Sequence, residues 1–352
     1  MRIVLRVWGL LVCLVVSLAF AQQGAPTDRV ITLNLAVTDK AGKAVTGLQQ
    51  SDFALLDNKQ PRNLLSFHEV AGGTAAADSP VQVILLIDEI NTPFVGVAME
   101  REAVEKFLGL DGGKLAFPVS VVLLADSGTA LRTQPSRDGT ALMAELNKAE
   151  FGLRTIRKSL QGIYGADDQR RLSIDALDQL AKHEAATPGR KLVVWISPGW
   201  PLFPVLGGEL SAKDQQATFT DIVAFSNMLP QARITLYNID PWGPMQDQLQ
   251  RNAYEQFLKG ARNPGQAQLG SLGLQVLAYR SGGRVLDASN DVAGEIATCV
   301  ADAKTYYVIA FDGLPGDGPN EYHDLEIKID KPKLTVRAPS GYYAQPLRAP
   351  GR

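Results

Sequence analysis

The sequence has few of the residues that hydrolases and redox enzymes use for chemistry. Its 352 residues include only two cysteines and three histidines. No Cys-x-x-Cys pair, no Gly-x-Ser-x-Gly turn and no phosphate-binding Gly-Lys-Ser/Thr loop is present. A hydrolytic triad needs a histidine beside its nucleophile, but His68 and His323 fall in β-patterned regions and His183 ends a helical one. We therefore do not predict an enzyme.

The sequence also lacks the excess of positive charge that favours nucleic acids or anionic membranes. It carries 35 basic and 37 acidic residues, which gives a net charge of -2. One basic cluster contains no aromatic residues and is interpreted as a solvated helix face: Arg154, Arg157, Lys158, Arg170 and Arg171. No nucleic-acid partner is expected.

The first residues have the pattern of a secretory signal peptide. Arg2 and Arg6 precede an apolar run over residues 7–20, and Ala19-Phe20-Ala21 is a small-x-small cleavage signal. The run of about 14 residues is short for the ~30 Å of a bilayer core, although an uncleaved anchor remains an alternative. We expect residues 1–21 to be removed, the mature chain to be periplasmic or extracellular, and no transmembrane segment to follow. Cys299 would then be the one remaining thiol, buried on a helix.

Three regions follow from the hydrophobic patterns. Short strands and turns in residues 22–75 and again in 304–345 predict two β-segments, each too small to close a sandwich alone. Between them, residues 80–303 alternate buried strands with helices, which predicts a mostly parallel sheet with helices on both faces. We expect the two β-segments to form one small β-sandwich, with the α/β domain inserted between them and a tail over residues 346–352.

Polar residues stand where the strands of the predicted sheet end. Open parallel sheets bind ligands at these carboxyl ends, and here they carry Asp88, Asp126, Ser197 and Asp240. The sequence Asp88-Glu89-Ile90-Asn91-Thr92 follows the first buried strand. Its oxygen-bearing side chains are of the kind that can surround a hard cation.

At residues 81–303 the chain resembles a von Willebrand factor A (VWA) domain, and its whole layout resembles the bacterial exported "VWFA-related" family. Four groups of segments carry the resemblance: residues 37–53; Asp88 with residues 91–94; residues 190–197; and residues 306–308, 322–325, 336–337 and 341–343. The resemblance implies a Rossmann-like α/β fold and an Mg²⁺ site built on an Asp-x-Ser-x-Ser loop.

The sequence departs from the metal-binding pattern that the resemblance implies. Ile90 stands where the second loop ligand belongs, and Ser197-Pro198-Gly199 replaces an expected Asp-Gly. The threonine of the second loop cannot be aligned, and Thr155 is a guess. We predict at most a weak Mg²⁺ or other divalent-cation site at Asp88, Asn91, Thr92 and Ser197. In the alternative interpretation, Asp88 caps backbone N–H groups.

Aromatic residues near two strand ends indicate a surface for a protein partner. The segments Gly199-Trp200-Pro201-Leu202-Phe203 and Pro241-Trp242 predict an apolar rim that includes Trp200, Phe203, Asp240 and Trp242. These rings could equally pack on the domain's own loops. The leading hypothesis is an exported interaction module of adhesion or scaffold type. A metal-assisted enzyme at the acidic strand ends and a purely structural envelope component are the alternatives.

Overall fold

The computed structural model describes residues 29–71, 80–149, 165–204, 208–243 and 252–347. The N-terminal part forms four short strands that alternate polar and apolar residues. They are β1 (Val30–Thr38), β2 (Phe53–Asp57), β3 (Gln60–Arg62) and β4 (Leu64–Val70). The predicted leader and the greater part of the predicted linker lie outside the described residues.

A seven-stranded mixed sheet forms the centre of the molecule. Its strands are β5 (Val81–Asp88), β6 (Lys114–Ala125), β7 (Gly128–Arg132), β8 (Ser136–Asp138), β9 (Arg190–Ile196), β10 (Ile234–Ile239) and β11 (Val285–Leu286). The order is β7-β6-β5-β9-β10-β11, with β8 also paired to β6. Strands β5, β6, β9, β10 and β11 are parallel, whereas β7 and β8 run antiparallel to β6. The predicted mixed α/β fold is therefore observed.

Helices cover both faces of this sheet, so β9 and β10 are buried along their whole length. The helices are α1 (Phe94–Leu108), α2 (Gly139–Lys148), α3 (Gly165–Ala185), α4 (Ala212–Gln231), α5 (Leu274–Arg280) and α6 (Val292–Ala301). Helices α3, α4 and α5 contribute to the core on one face, and α1, α2 and α6 to the core on the other. Short 3-10 turns occupy Leu110–Gly113, Asn252–Phe257, Pro264–Gln266 and Leu269–Leu272, and another, at Gln50–Asp52, precedes β2.

Strands from the two ends of the chain pair with one another. The C-terminal strands are β12 (Tyr306–Asp312), β13 (Glu321–Ile329), β14 (Thr335–Arg337) and β15 (Gly341–Ala344). One antiparallel sheet has the order β14-β1-β12-β4 and the other β15-β13-β2-β3. A common apolar core joins them, with Leu35 and Phe311 from the first sheet and Leu55 and Leu325 from the second. The arrangement is sandwich-like, as the partnerless N-terminal strands led us to expect.

A buried ionic cluster fixes this sandwich to the central sheet. Asp302, at the end of α6, is 4% exposed. Its carboxylate accepts hydrogen bonds from Arg337 of β14 at 2.7 and 2.8 Å and from the Tyr237 hydroxyl of β10 at 3.0 Å. Because a buried carboxylate is stable only when paired, this cluster couples the position of β14 to that of β10.

Two helices differ from the helical patterns of the sequence, which predict helices over residues 99–110 and 266–281. Helix α1 begins at Phe94, directly after Pro93, and not at Met99. The helix expected over residues 266–281 is confined to Leu274–Arg280, because Gly270 lies against the Phe257 ring and the backbone at Gly273 is extended. Cys299 is fully buried in α6, as expected, and burial raises the pKa of its thiol well above the usual value.

Candidate functional site

The strand order places one crevice at the carboxyl ends of β5 and β9. These strands are neighbours, but the chain proceeds from β5 towards β6 on one side and from β9 towards β10 on the other. Such a reversal opens a crevice at the strand ends, where doubly wound sheets bind ligands. Asp88 closes β5 and Ser197 follows β9, so the first and last of the predicted metal ligands lie at this point.

Asp88 is completely buried, and both of its carboxylate oxygens already accept hydrogen bonds. Oδ1 accepts from the backbone N–H groups of Ile90 at 2.9 Å and Asn91 at 3.1 Å. Oδ2 accepts from the Asn91 side-chain amide at 2.8 Å and from the indole N–H of Trp195 at 2.9 Å. Four donors therefore converge on a single carboxylate and fix the loop after β5.

This donor set does not fit a metal ion. An ionised carboxylate offers about four lone-pair positions, and in Asp88 all of them face N–H groups of the protein. A cation would have to displace at least one buried donor, which would then be left unpaired. Among the described residues, no group of three or more histidine, cysteine, aspartate or glutamate side chains is placed to hold a metal ion. The geometry of Asp88 is that of a side chain that caps backbone N–H groups, which was the alternative interpretation.

The other predicted ligands do not complete a shell around Asp88. Asn91 contacts Asp88, but its amide also donates to the Ser173 hydroxyl of α3 at 2.8 Å. The Thr92 side chain interacts with Glu100 and lowers its pKa, and the Ser197 hydroxyl accepts from the Gly199 N–H at 3.2 Å. The structure thus brings Asp88 and Asn91 together and directs Thr92 and Ser197 to other partners. Thr155 lies outside the described residues.

Sequence reasoning missed a buried acid, Glu100 of α1. It is fully buried, and its Oε2 accepts the Asp88 backbone N–H at 3.3 Å. Burial raises the pKa of Glu100 well above the usual value, and the charges of Asp88 and Asp240 add to the effect. The spacing of residues in the sequence could have revealed this burial. Glu100 follows Val97 by three residues and precedes Val104 by four, which puts all three on one helix face.

A second acid with a raised pKa lies on α6, the helix that packs against α1. Glu295 is 7% exposed, and burial together with the charges of Asp287, Asp240 and Asp291 raises its pKa to about 7. Each of the two acids has a raised pKa, so each retains its proton to a higher pH than a free glutamate does.

Two members of the predicted partner-binding rim, Trp200 and Asp240, are buried. Trp200 is 3% exposed and packs edge-on against Trp195, with ring centroids 5.1 Å apart. Asp240 is also 3% exposed, and its Oδ1 accepts the Trp242 backbone N–H at 2.9 Å. The Trp200 ring thus packs on the protein itself, as in the alternative interpretation.

Phe203 and Trp242, in contrast, remain accessible. Phe203 is 51% exposed and has one aromatic neighbour, Phe257, at a centroid distance of 5.5 Å. Trp242 is half-buried, and its ring lies on the first turn of α1, where a Cβ at Gly96 would stand 2.9 Å from it. A larger residue at position 96 would therefore displace Trp242.

Three more exposed apolar side chains lie on α1 and were not predicted. Phe94 is 65% exposed, Val95 64% and Met99 43%. Residues 95 and 99 are one helical turn apart, and Ala98 between them is exposed too. These four residues, which we call the α1 stripe, begin two residues after Thr92.

The basic cluster is only partly on a solvated face. Arg171 is exposed, but Arg170 is 6% exposed and donates to Asp167 and to the Pro201 carbonyl oxygen. Arg170 thus holds the loop after β9 against α3. The remaining members, at 154, 157 and 158, lie outside the described residues.

Comparison with known proteins gives no family. No protein-family profile and no curated protein matches the sequence. Among solved structures, the chain is similar to the open conformation of the pilus adhesin SpaC from Lactobacillus rhamnosus GG, at 9% identity and a TM-score of 0.36. The match covers 83% of this chain and 48% of the adhesin, so the chain spans about half of that protein's length. A TM-score of this size does not establish a shared fold.

Proposed function

We propose that the chain is an exported protein-interaction module that binds a protein partner through the α1 stripe, at the carboxyl-end face of a VWA-like domain. The observation that carries the proposal is the exposure of Phe94, Val95 and Met99 on one helix face. Contiguous exposed apolar side chains mark interaction surfaces more often than single ones do. Aromatic residues and methionine are also enriched in interface cores.

The strand order supports the VWA-like assignment. When the short strand β8, which lies off the main path of the sheet, is left out of the numbering, β7-β6-β5-β9-β10-β11 reads 3-2-1-4-5-6, the order of a doubly wound fold. The third strand of this order, β7, runs antiparallel to its neighbour β6. We further propose that residues 80–303 form this domain and that 22–75 and 304–345 form the sandwich that supports it.

In this proposal the face is independent of metal. Asp88 acts as a lock: it holds the loop that leads into α1, and Trp195 and Asn91 hold Asp88. The loop in turn fixes the first turn of α1 and so the orientation of Phe94. A binding surface on an ordered helix loses less conformational entropy when its partner docks, which is the advantage of the lock.

Export is the other part of the proposal. It rests on the basic-then-apolar pattern of residues 1–21, which lie outside the described residues. Among the residues that the structure describes, no helix is both long and apolar enough to cross a membrane. The N-terminal sequence of the mature protein recovered from envelope or medium fractions tests this part: Gln22 is expected, and full-length protein confined to the cytosol would contradict it.

Site-specific photocrosslinking in the native host tests the interaction surface. A photoreactive phenylalanine analogue is placed at Met99, or at Leu65 of β4 as the control. Leu65 is 60% exposed and belongs to the sandwich. We expect a discrete higher-mass adduct from position 99 and none from position 65. The absence of any adduct from positions 94, 95 and 99 would instead favour a purely structural role.

A further inference from the structure

A cavity away from the strand ends lies between the sandwich and the central domain. Its volume is about 290 Å³, and it is lined by Asn58, Lys59, Arg262, Glu321, Tyr322 and Asp324. The first two form the turn between β2 and β3, the last three belong to β13, and Arg262 comes from the central domain. Ligand pockets occur preferentially at such domain junctions, and their sizes begin at ~300 Å³.

The walls of this cavity are held by the protein itself. The Asn58 N–H donates to the Asp324 carbonyl oxygen at 2.9 Å, and the Asp324 N–H donates to the Asn58 side chain at 3.0 Å. The Tyr322 ring packs so closely on Gly260 that a Cβ there would stand 2.3 Å from it. The turn, the strand and the segment carrying Arg262 are therefore fixed relative to one another before any ligand binds.

One edge of β13 is open at the cavity. Both main-chain groups of Asp324 face the turn at Asn58, whereas the Leu325 N–H faces the opposite side and donates to Ser340. Because main-chain groups alternate between the two edges of a strand, the N–H and C=O of Tyr322 face the same edge as those of Asp324. Strand β2 ends at Asp57, so within the described residues no strand runs beside Tyr322 on that edge.

Charges of both signs surround this open edge. Lys59 and Arg262 are exposed, and neither forms an ion pair with an acidic side chain of the described residues. Two acids line the same space: Asp324 is exposed, and the Glu321 carboxylate is oriented by the Asp317 N–H. The cavity thus offers two cations, two acids and the edge of β13. A ligand that matches all three carries a carboxylate, an ammonium group and a main-chain amide between them.

We propose that this cavity binds a short zwitterionic peptide of about two residues, such as a dipeptide. Its carboxylate pairs with Arg262 and Lys59, its ammonium group with Asp324 and Glu321, and its amide with the open main chain of Tyr322. The site is separate from the α1 stripe and does not depend on it. Affinity is expected on the order of millimolar, because association costs the ligand its translational and rotational freedom and the charged groups must be desolvated.

Calorimetric or NMR titration of the whole mature protein with L-alanyl-L-alanine tests the proposal. The control ligand is N-acetyl-L-alanine methylamide, which has comparable size and main-chain groups but no charge. We expect saturable binding of the dipeptide and none of the capped compound. Since hydrogen bonds to charged groups contribute more than neutral ones, Arg262→Gln is expected to weaken binding about tenfold or more.

Matched variants show whether this cavity is the site. Lys59→Asn removes the second cation. Asparagine tolerates the positive φ of 67° found at this position. It should also weaken binding, whereas Lys213→Gln, an exposed position on α4, should not. The proposal is overturned if the dipeptide does not saturate, if the capped compound binds equally well, or if neither cavity variant changes the affinity.

Discussion

The indole N–H of Trp195 donates to the Asp88 carboxylate across 2.9 Å and so joins the carboxyl ends of the neighbouring strands β9 and β5. Both residues are fully buried. The sequence pattern predicts Asp88 as a metal ligand. Through this bond, Asp88 instead stabilises the fold. It also connects the crevice to the α1 stripe, since the loop held by Asp88 leads directly into α1.

Replacing Asp88 is expected to destabilise the fold. Asp88→Ala leaves the Trp195 N–H and the loop N–H groups of Ile90 and Asn91 without their acceptor in a buried place. The cost should be on the order of 3 kcal/mol, because each buried unsatisfied group costs about 1–3 kcal/mol. Urea unfolding measures it. The matched control is Asp126→Ala, at the end of β6 and only partly buried; equal stability of the two variants would contradict the lock.

Divalent cations are expected to leave the stability of the protein unchanged. A ligand that binds only the folded state raises its unfolding temperature, but the Asp88 oxygens are already occupied by donors. Thermal unfolding with Mg²⁺, Mn²⁺ or Ca²⁺ should therefore match that in the presence of a chelator. A stabilisation by one cation that Asn91→Ala removes would show that the metal interpretation is right after all.

Stability is expected to fall between about pH 4.5 and pH 7, with Glu295 as one cause. In the unfolded chain this glutamate titrates near 4.5, whereas in the folded protein its pKa is about 7. Between these values the folded state holds the proton and the unfolded state does not, so unfolding becomes easier as pH rises. The contribution is on the order of 3 kcal/mol at full effect.

Glu295→Gln tests this pH dependence. The variant cannot lose a proton there, so its unfolding free energy should decline less than that of the wild type between pH 5 and pH 7.5. A residual decline is expected from Glu100, whose pKa is also raised. The exposed Glu102→Gln on α1 is the control. Identical pH profiles for Glu295→Gln and the wild type would refute the assignment.

The hydroxyl of Tyr342, in β15, is expected to stabilise the pairing between the N-terminal and C-terminal strands of the sandwich. It donates to Asp57 of β2 at 2.7 Å and accepts the Leu314 N–H at 3.0 Å, while Asp57 also pairs with His323 at 2.7 Å. Tyr342→Phe should cost about 1–3 kcal/mol, because a buried carboxylate loses a donor. Tyr279→Phe, at a tyrosine that is 51% exposed, should change the unfolding free energy by less than about 0.5 kcal/mol.

The sequence was sufficient for the central sheet because burial on two faces leaves continuous apolar runs, such as residues 81–87. It also predicted the pairing of the chain ends, since the strands at either end lacked enough partners of their own. It failed at α1, where exposed Phe94 and Val95 obscure the helical pattern carried by Gly96, Val97 and Glu100.

The site was harder to predict than the fold, because contacts between distant residues determine it. Nothing near Asp88 in the chain reveals that Trp195, 107 residues later, donates to it. Likewise the proline-rich loop gave no sign that Trp200 turns inward onto Trp195. Composition showed which residues are capable of binding a cation or a partner, and packing decided which of them are free to do so.

The most direct test of the α1 stripe compares two single-charge substitutions. Met99→Asp and Leu65→Asp each place one carboxylate at an exposed apolar position, and each should alter the unfolding free energy by no more than about 0.5 kcal/mol. The measurement is the yield of the photocrosslinked adduct formed from position 94 in the native host. The account predicts that Met99→Asp abolishes this adduct and Leu65→Asp preserves it; an adduct that survives Met99→Asp in a stably folded protein would contradict the claim that the α1 stripe binds the partner.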